Sequence, residues 1–195
     1  TDEEHSFICC LSSLNLAKYD EWKNTDVVEI ATYFLDGVME EFIVKTNGKD
    51  SMVRSHRHAK KGRALGLGVM GWHTFLQQKN LPFNSIASTA WTHTIFNDIR
   101  SKAEAASRQL AVEYGEPLWC RGTGMRNTHV MAIAPTVSNS RLNSCSAGIE
   151  PQPANVYVFN GAKGTFIVKN PELEKLLIEK NKNESKYWDQ ILADN

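Results

Sequence analysis

The strongest constraint on this chain is the wide spacing of its buried-strand patterns, with long helical patterns filling the interval. Ser6 to Leu11 is short, mostly apolar and bounded by polar residues, which predicts a buried strand. A second such run, His129 to Ala134, comes far downstream. Between them, Val27, Ile30, Ala31, Phe34, Leu35, Val38, Met39 and Phe42 recur at helical spacing. They predict a helix near Thr25 to Val44, with Thr25 as its cap and Glu29 early in it. A longer helix is expected from Ile86 to Tyr114, with Trp91, Ile95, Ile99, Ala103, Ala106 and Leu110 on its apolar face. Ser85 or Ser88 caps its start, and Gly115 followed by Pro117 stops it. Strands separated by long helices favour an α/β arrangement. In such folds ligands sit at the carboxyl ends of strands, and Pro135 to Ser140 occupies such an end.

The remaining segments are read as follows. Lys45 to Lys61 is polar and basic and reads as an exposed loop, its cluster of Arg54, His56, Arg57, His58, Lys60 and Lys61 more a solvated patch than a phosphate site. Gly62 to Trp72 looks like a nucleotide fingerprint but lacks the G-x-G-x-x-G spacing and the acidic residue about 20 positions on. Its glycines are read as close-packing positions of a helix, and the run to Gln78 as helical. Pro117 to Asn127 reads as a loop. Asn155–Phe159 and Thr165–Val168, flanking Asn160 to Gly164, signal a hairpin. Pro171 opens a charged helix to about Asn181, and a last helix is expected from Ser185 to Ala193.

The 195 residues carry 22 Lys plus Arg and 22 Asp plus Glu, so no strong field steers the chain to nucleic acid or to an anionic membrane. The most apolar stretch, Ala64 to Leu76, includes His73, Thr74 and three glycines, too short and polar to span a bilayer. Asp2, Glu3, Glu4 and His5 give no signal-peptide pattern, so a cytoplasmic location is expected. The start at Thr1 and the end at Asn195 suggest a piece of a longer chain or a split-gene product. The four cysteines, Cys9, Cys10, Cys120 and Cys145, form no C-x-x-C pair and have no His at zinc-site spacing. Neither a structural metal nor a structural disulfide is expected, which leaves buried inert thiols or a thiol with a redox task.

Ala132-Ile133-Ala134-Pro135-Thr136-Val137-Ser138-Asn139-Ser140 joins an apolar run to a loop of small hydroxyl and amide residues. Short side chains leave backbone N–H groups approachable, and hydroxyls add donors that rotate to suit an anion. On chemistry alone, a phosphate cradle and an ordinary polar loop both remain open.

Four motifs in order resemble one family. Phe7-Ile8-Cys9-Cys10-Leu11-Ser12-Ser13-Leu14-Asn15-Leu16 is similar to the redox-cysteine strand of class I ribonucleotide reductase large subunits. Ala64-Leu65-Gly66-Leu67-Gly68-Val69 resembles its helix-opening glycine motif. Gly124-Met125-Arg126-Asn127-Thr128-His129 and Ala134 to Ser140 resemble its late barrel strand and substrate-phosphate loop. Gly148-Ile149-Glu150-Pro151 resembles the turn that follows.

The resemblance implies part of a ten-stranded α/β barrel with long packing helices and a β-hairpin. It implies reduction of ribonucleoside diphosphates for DNA synthesis by radical chemistry, with Cys9 as the second cysteine of the redox pair and Cys10 as a small buried hydrophobe. Substrate phosphate falls to Pro135, Thr136, Val137, Ser138 and Asn139, where Val137 removes a polar side chain that the family often has. Cys120 and Cys145 match no family cysteine and are expected to be inert. No cofactor is implied in this chain. The radical comes from a metal-containing small subunit, reducing equivalents from a thioredoxin- or glutaredoxin-type dithiol, and ATP and dNTP effectors act on an N-terminal region outside these residues. Other segments of the large subunit complete the site, so the isolated chain is expected to be inactive. Neither membrane nor direct DNA binding is expected. The alternative is a non-catalytic assembly module of a degenerate or split barrel.

Overall fold

The alternation of Leu65, Leu67 and Val69 with Gly66 and Gly68 is resolved, in a computed structural model describing residues 1–194, as a strand. Strand β1 (Cys10–Asn15) begins the fold and ends in a 3-10 turn, Leu16–Lys18, capped by Asn15 Oδ1, which accepts from the Ala17 N–H at 2.9 Å. One helical turn, α1 (Tyr19–Trp22), leads to α2 (Val27–Thr46) and then α3 (Val53–Gly62). Strand β2 (Leu65–Met70) lies parallel to β1, in register from Cys10–Leu65 to Asn15–Met70. Helices α4 (Trp72–Gln78) and α5 (Ile86–Tyr114) follow. The strand expected over His129 to Ala134 is reduced to a single parallel bridge, Leu67–Met131, which joins this third segment to β2, because its chain leaves regular pairing on both sides of Met131. Leu65 N–H donates to His129 O at 2.8 Å, and Leu67 N–H to Val130 O at 3.1 Å. Short α6 (Val137–Leu142), the antiparallel hairpin β3 (Val156–Gly161) and β4 (Gly164–Lys169), α7 (Pro171–Glu179) and α8 (Ser185–Ala193) complete the order.

Four expectations are corrected. The first strand is Cys10–Asn15 rather than Ser6 to Leu11, because Ser6 and Ile8 direct their amides to α3, to Arg54 O and His58 Nδ1, instead of to a neighbouring strand. Lys45 to Lys61 is not an exposed loop: most of it is α3, which buries His58, Ala59 and Gly62 at helical spacing. Gly62 to Trp72 is not helical over its glycines, whose absent side chains instead let strands approach. A Cβ on Gly66 would collide with the Leu11 side chain, and one on Gly68 with the Ala132 carbonyl oxygen. Finally, Pro135 to Ser140 is not simply a loop, since α6 starts at Val137. Asp26 immediately precedes α2 but makes no side-chain cap, and the Thr25 hydroxyl accepts from Val27 N–H at 3.4 Å, while Ser85 caps α5, accepting from Ser88 N–H.

The sheet has two unlike faces. Leu65, Leu67 and Val69 face the helices, at most 1% exposed, among Val28, Leu35 and Met39 of α2 and Ile95, Ile99 and Ala103 of α5. Burying each such aliphatic side chain contributes roughly 1.5–3 kcal/mol. The opposite face carries Leu11, Gly66, Gly68 and Ala132, a shallow trough in which Leu11 and Ala132 fill the space that side chains at the glycines would take. Tyr19, Phe75 and Trp91 pack edge to face at 5.3 to 6.2 Å, tying α1, α4 and α5 together.

One charged network holds the sheet to the helices. Asp36 on α2 receives Arg63 Nε on Oδ1 and Nη2 on Oδ2, both at 2.9 Å, Arg126 Nε at 3.0 Å, and Asn127 Nδ2 at 2.8 Å. Glu40 takes Arg63 Nη1 at 2.6 Å. Asn127 Nδ2 also donates to Arg63 O at 2.9 Å, and Ser107 of α5 donates to Asn127 Oδ1 at 2.7 Å. Burial opposes ionisation of Asp36, but the hydrogen bonds and charge of Arg63, with help from Asn127 and Arg126, hold its carboxyl below the usual 3.8. Its stabilising contribution is therefore complete above pH 3.8 and lost as the pH falls through the depressed native value.

Two substitutions test this frame. Gly68→Ala is expected to cost about 1–3 kcal/mol or more in urea unfolding, because the colliding atom is backbone and cannot rotate away. Asp36→Asn is expected to cost about 3–5 kcal/mol at neutral pH, since it removes the bidentate carboxylate of buried Arg63 and leaves it only the half-exposed Glu40, and to flatten the acid limb of the stability curve. Near-wild-type unfolding of either variant would refute the corresponding assignment.

Candidate active site

Strand alternation separates the adjacent cysteines. Cys10 packs against the helix-side core, whereas Leu11 leans over Gly66 on the trough face. Continued one residue upstream, the alternation places Cys9 with Leu11, at the trough's amino end. Cys10 N–H donates to Ala64 O at 3.3 Å, and Ile8 N–H to His58 Nδ1 at 3.4 Å, so both flanks of Cys9 are held. Burial pushes the Cys9 thiol up, which keeps it protonated near neutral pH.

His58 was hidden in the sequence by its basic neighbours, although His58, Ala59 and Gly62 fall on one helical face. Its ring packs edge to face against Phe7 at 4.8 Å and Trp119 at 5.2 Å, and His5 meets the same Trp119 at 5.1 Å. A backbone amide can only donate, so His58 Nδ1 bears the lone pair and the proton sits on Nε2. Burial is the main cause that pushes this imidazole's pKa down, aided by the N-terminal charge, His5 and His129.

The other end of the trough is the strand-to-helix junction after Ala134. Thr136 precedes α6, so the amides of Val137, Ser138 and Asn139 form its first turn, where a helix has no internal acceptors for them. Pro135 has no amide hydrogen and fixes the entry. Thr136 Oγ1 accepts from Gly148 N–H at 2.8 Å, which anchors the junction to the Gly-Ile-Glu-Pro turn and leaves the hydroxyl proton to donate. Val137 is half exposed and offers only its backbone, and Ser140 is turned inward, its hydroxyl donating to Val137 O at 3.1 Å.

These two ends are not in contact. With Cys10 level with Leu65, and Leu67 with Met131, Cys9 and Pro135 lie seven residues apart along the strands, on the order of 20 Å. A ligand serving both must extend along the glycine-lined face. Among the described residues all four cysteines are free, and no group of three or more His, Cys, Asp or Glu is placed to hold a metal ion. Cys120 and Cys145 are buried, and burial pushes the Cys145 thiol up to about 11. No helix of the described residues is long and apolar enough to cross a membrane.

Alkylation with iodoacetamide, mapped by peptide mass, should label Cys9 more slowly than free cysteine at neutral pH and faster as the pH rises. Cys145 should stay unlabelled in the native chain until strongly alkaline pH. Labelling of Cys145 ahead of Cys9 would contradict this assignment.

The family profile described as ribonucleotide reductase, barrel domain, matches residues 1–119 and 120–195. The ribonucleoside-diphosphate reductase large subunit of Invertebrate iridescent virus 6 is 36% identical over 197 residues, covering 99% of this chain and 20% of that protein. The large subunit of Invertebrate iridescent virus 3 is 34% identical, covering 98% of this chain and 31% of its own length. The solved Actinobacillus ureae class Id ribonucleotide reductase alpha subunit superposes with a TM-score of 0.91 at 45% identity, over 100% of this chain and 36% of that one. The chain thus spans only between a fifth and about a third of these relatives. The parallel strands with helical crossovers are part of an α/β barrel, and the chain belongs to the ribonucleotide reductase large-subunit family, within its barrel domain.

Proposed function

We propose that this chain is a segment of a ribonucleoside-diphosphate reductase large subunit and supplies two parts of its active site. The observation that carries this reading is that Cys9, just before β1, and the first turn of α6, after the segment bridged to β2, fall at opposite ends of the same set of parallel segments. The substrate lies along the trough, its phosphates on the amides of Val137, Ser138 and Asn139 with Pro135 and Thr136 shaping the approach, and its ribose toward Cys9. A helix start suits an anion because its amides point outward and its dipole is positive there.

In the chemistry proposed, a thiyl radical on another segment of the large subunit removes the 3′ hydrogen and later returns it. The 2′ hydroxyl leaves as water while Cys9 and a second cysteine, supplied from outside this chain, give up two electrons and two protons and become a disulfide. An external dithiol of the thioredoxin or glutaredoxin type restores the pair. Cys10 is unsuited to be that partner, because it faces the helix-side core. The radical comes from a metal-containing small subunit, ATP and dNTP effectors act on large-subunit regions outside these residues, and the setting is cytoplasmic deoxyribonucleotide synthesis. The isolated chain, lacking the radical cysteine and the pair's partner, is inactive.

The test is complementation. The chain in its full-length large subunit, combined with the small subunit and a dithiol, should reduce cytidine diphosphate, and Cys9→Ser should abolish turnover while assembly persists. The isolated chain should show no turnover. An assembled enzyme whose activity ignores Cys9→Ser would favour a non-catalytic assembly role for this segment.

A further inference from the structure

Helix α4 presents its first turn to the segment that follows the proposed phosphate site. Gly71 N–H donates to Ser146 O at 2.8 Å and Trp72 N–H to Gly148 O at 3.4 Å. Thr74 and Ser146 are doubly joined, Ser146 N–H to Thr74 Oγ1 at 2.9 Å and Thr74 N–H to Ser146 Oγ at 3.3 Å. The last tie of this set is made by a ring: Gln152 N–H donates to His73 Nδ1 at 2.9 Å. Because the amide can only donate, His73 must be neutral with its proton on Nε2. Phe83 packs edge to face on the same ring at 5.6 Å and fixes its plane.

The tied segment reaches the phosphate site directly. Gly148, in the left-handed region at φ 47°, donates its amide to Thr136 Oγ1. Gly148 lies beside Ile133 and Ala134, where a Cβ would make ordinary van der Waals contact with Ile133 Cγ2 at 3.5 Å and Ala134 O at 3.6 Å. Gln152, Pro151 and Glu150 also line a cavity of about 580 Å³ together with Val137, Ser140 and Arg141 of α6. Gln152 and α6 are thus linked through the turn by the Gly148–Thr136 hydrogen bond.

We propose that His73 is a positioning residue for substrate phosphate, acting through the Gln152 amide and the Gly148–Thr136 hydrogen bond to set the first turn of α6, and that its protonation releases this latch. The proposal rests on the reductase reading of the α6 site. The charges carried by the elements packed here are Glu150 on the turn, Arg141 of α6 and Lys169 of β4 on the same cavity, Glu172, Glu174, Lys175 and Glu179 on α7, and Lys79 after α4. Glu172 is engaged by Gln78 and Lys175, and Lys79 by Asp20. Burial is the cause that pushes the His73 imidazole below its usual 6.5, with no charged neighbour contributing. The latch is therefore closed at and above pH 6.5 and opens as the pH falls through the depressed native value.

The experiment pairs two readouts. Amide hydrogen exchange of Gln152, followed by NMR in this chain from about pH 8 to pH 5, reports the latch alone. Protection should fade at acid pH in the wild type and persist throughout in His73→Asn, whose side-chain oxygen replaces Nδ1 without titrating. It should be absent at every pH in His73→Leu. In the full-length large subunit with its small subunit, His73→Leu should raise the KM for cytidine diphosphate about fivefold with kcat unchanged, the effect of one neutral hydrogen bond. His73→Asn should restore the wild-type KM and remove its rise at acid pH. A Gln152 amide indifferent to His73 and to pH overturns the latch, and an unmoved KM in His73→Leu overturns its link to phosphate. A wild-type enzyme inert toward cytidine diphosphate overturns the reductase reading instead, while the exchange data still decide the latch.

Discussion

The Asp36 carboxylate is the point on which the arrangement of strands and helices depends. One short side chain on α2 receives donors from the α3–β2 junction and from the entry to the third strand. Arg63 adopts a left-handed conformation at φ 46°, where a helix end ordinarily carries glycine. A non-glycine residue there costs on the order of 1 kcal/mol, and only the side chain's bidentate grip on Asp36 accounts for an arginine at that place. Asn127 then joins Asp36 Oδ1 to Arg63 O, so the starts of β2 and of the third strand are set level with one another. The hydrogen-bond ladder from Leu65 to Ala132 extends a register already set at its first rung.

Elements whose apolar period is unambiguous were legible in the sequence. The span of α5, its Ser85 cap, the hairpin and α8 all follow from local signals that tertiary contacts do not override. The errors fell where local and tertiary signals conflict. Leu-Gly-Leu-Gly-Val has the period of a strand, yet its glycines suggested helix packing, because what they make room for, Leu11 and the Ala132 carbonyl, comes from distant sequence. The apolar run Ser6 to Leu11 drew the first strand too early, since Ser12 and Ser13 pair with Leu67 and Gly68 inside the ladder while Ser6 and Ile8 bond to α3. Lys60 and Lys61 masked the helical face that buries His58.

The candidate site was legible in part. Motifs singled out Cys9 and Pro135 to Asn139, but not that a helix starts at Val137, nor that the two groups lie at opposite ends of the parallel segments. The supporting residues were invisible. His58 and His73 each accept a backbone amide through Nδ1, one beside Cys9 and the other on the turn that holds Thr136. Neither sits in a motif, and a lone histidine carries no signature of the amide it will meet. Both are neutral acceptors in apolar surroundings, and burial keeps both uncharged.

Register and chemistry meet at the two adjacent cysteines. In a strand, neighbours face opposite sides, and a slip of one residue exchanges every face. With the present register, Cys10 lies against the helix-side core and Cys9 on the open face with Gly66 and Gly68. A one-residue slip of β1 would bury Cys9, present Cys10 to the trough, and drive Ser12 over a glycine where Leu11 now packs. The leucine side chains on both strands oppose that slip through the core, and the Gly68 contact with Ala132 opposes a comparable slip of the third segment. The glycines are thus the positions where the strands press closest, and that close approach decides which thiol each face of the sheet receives.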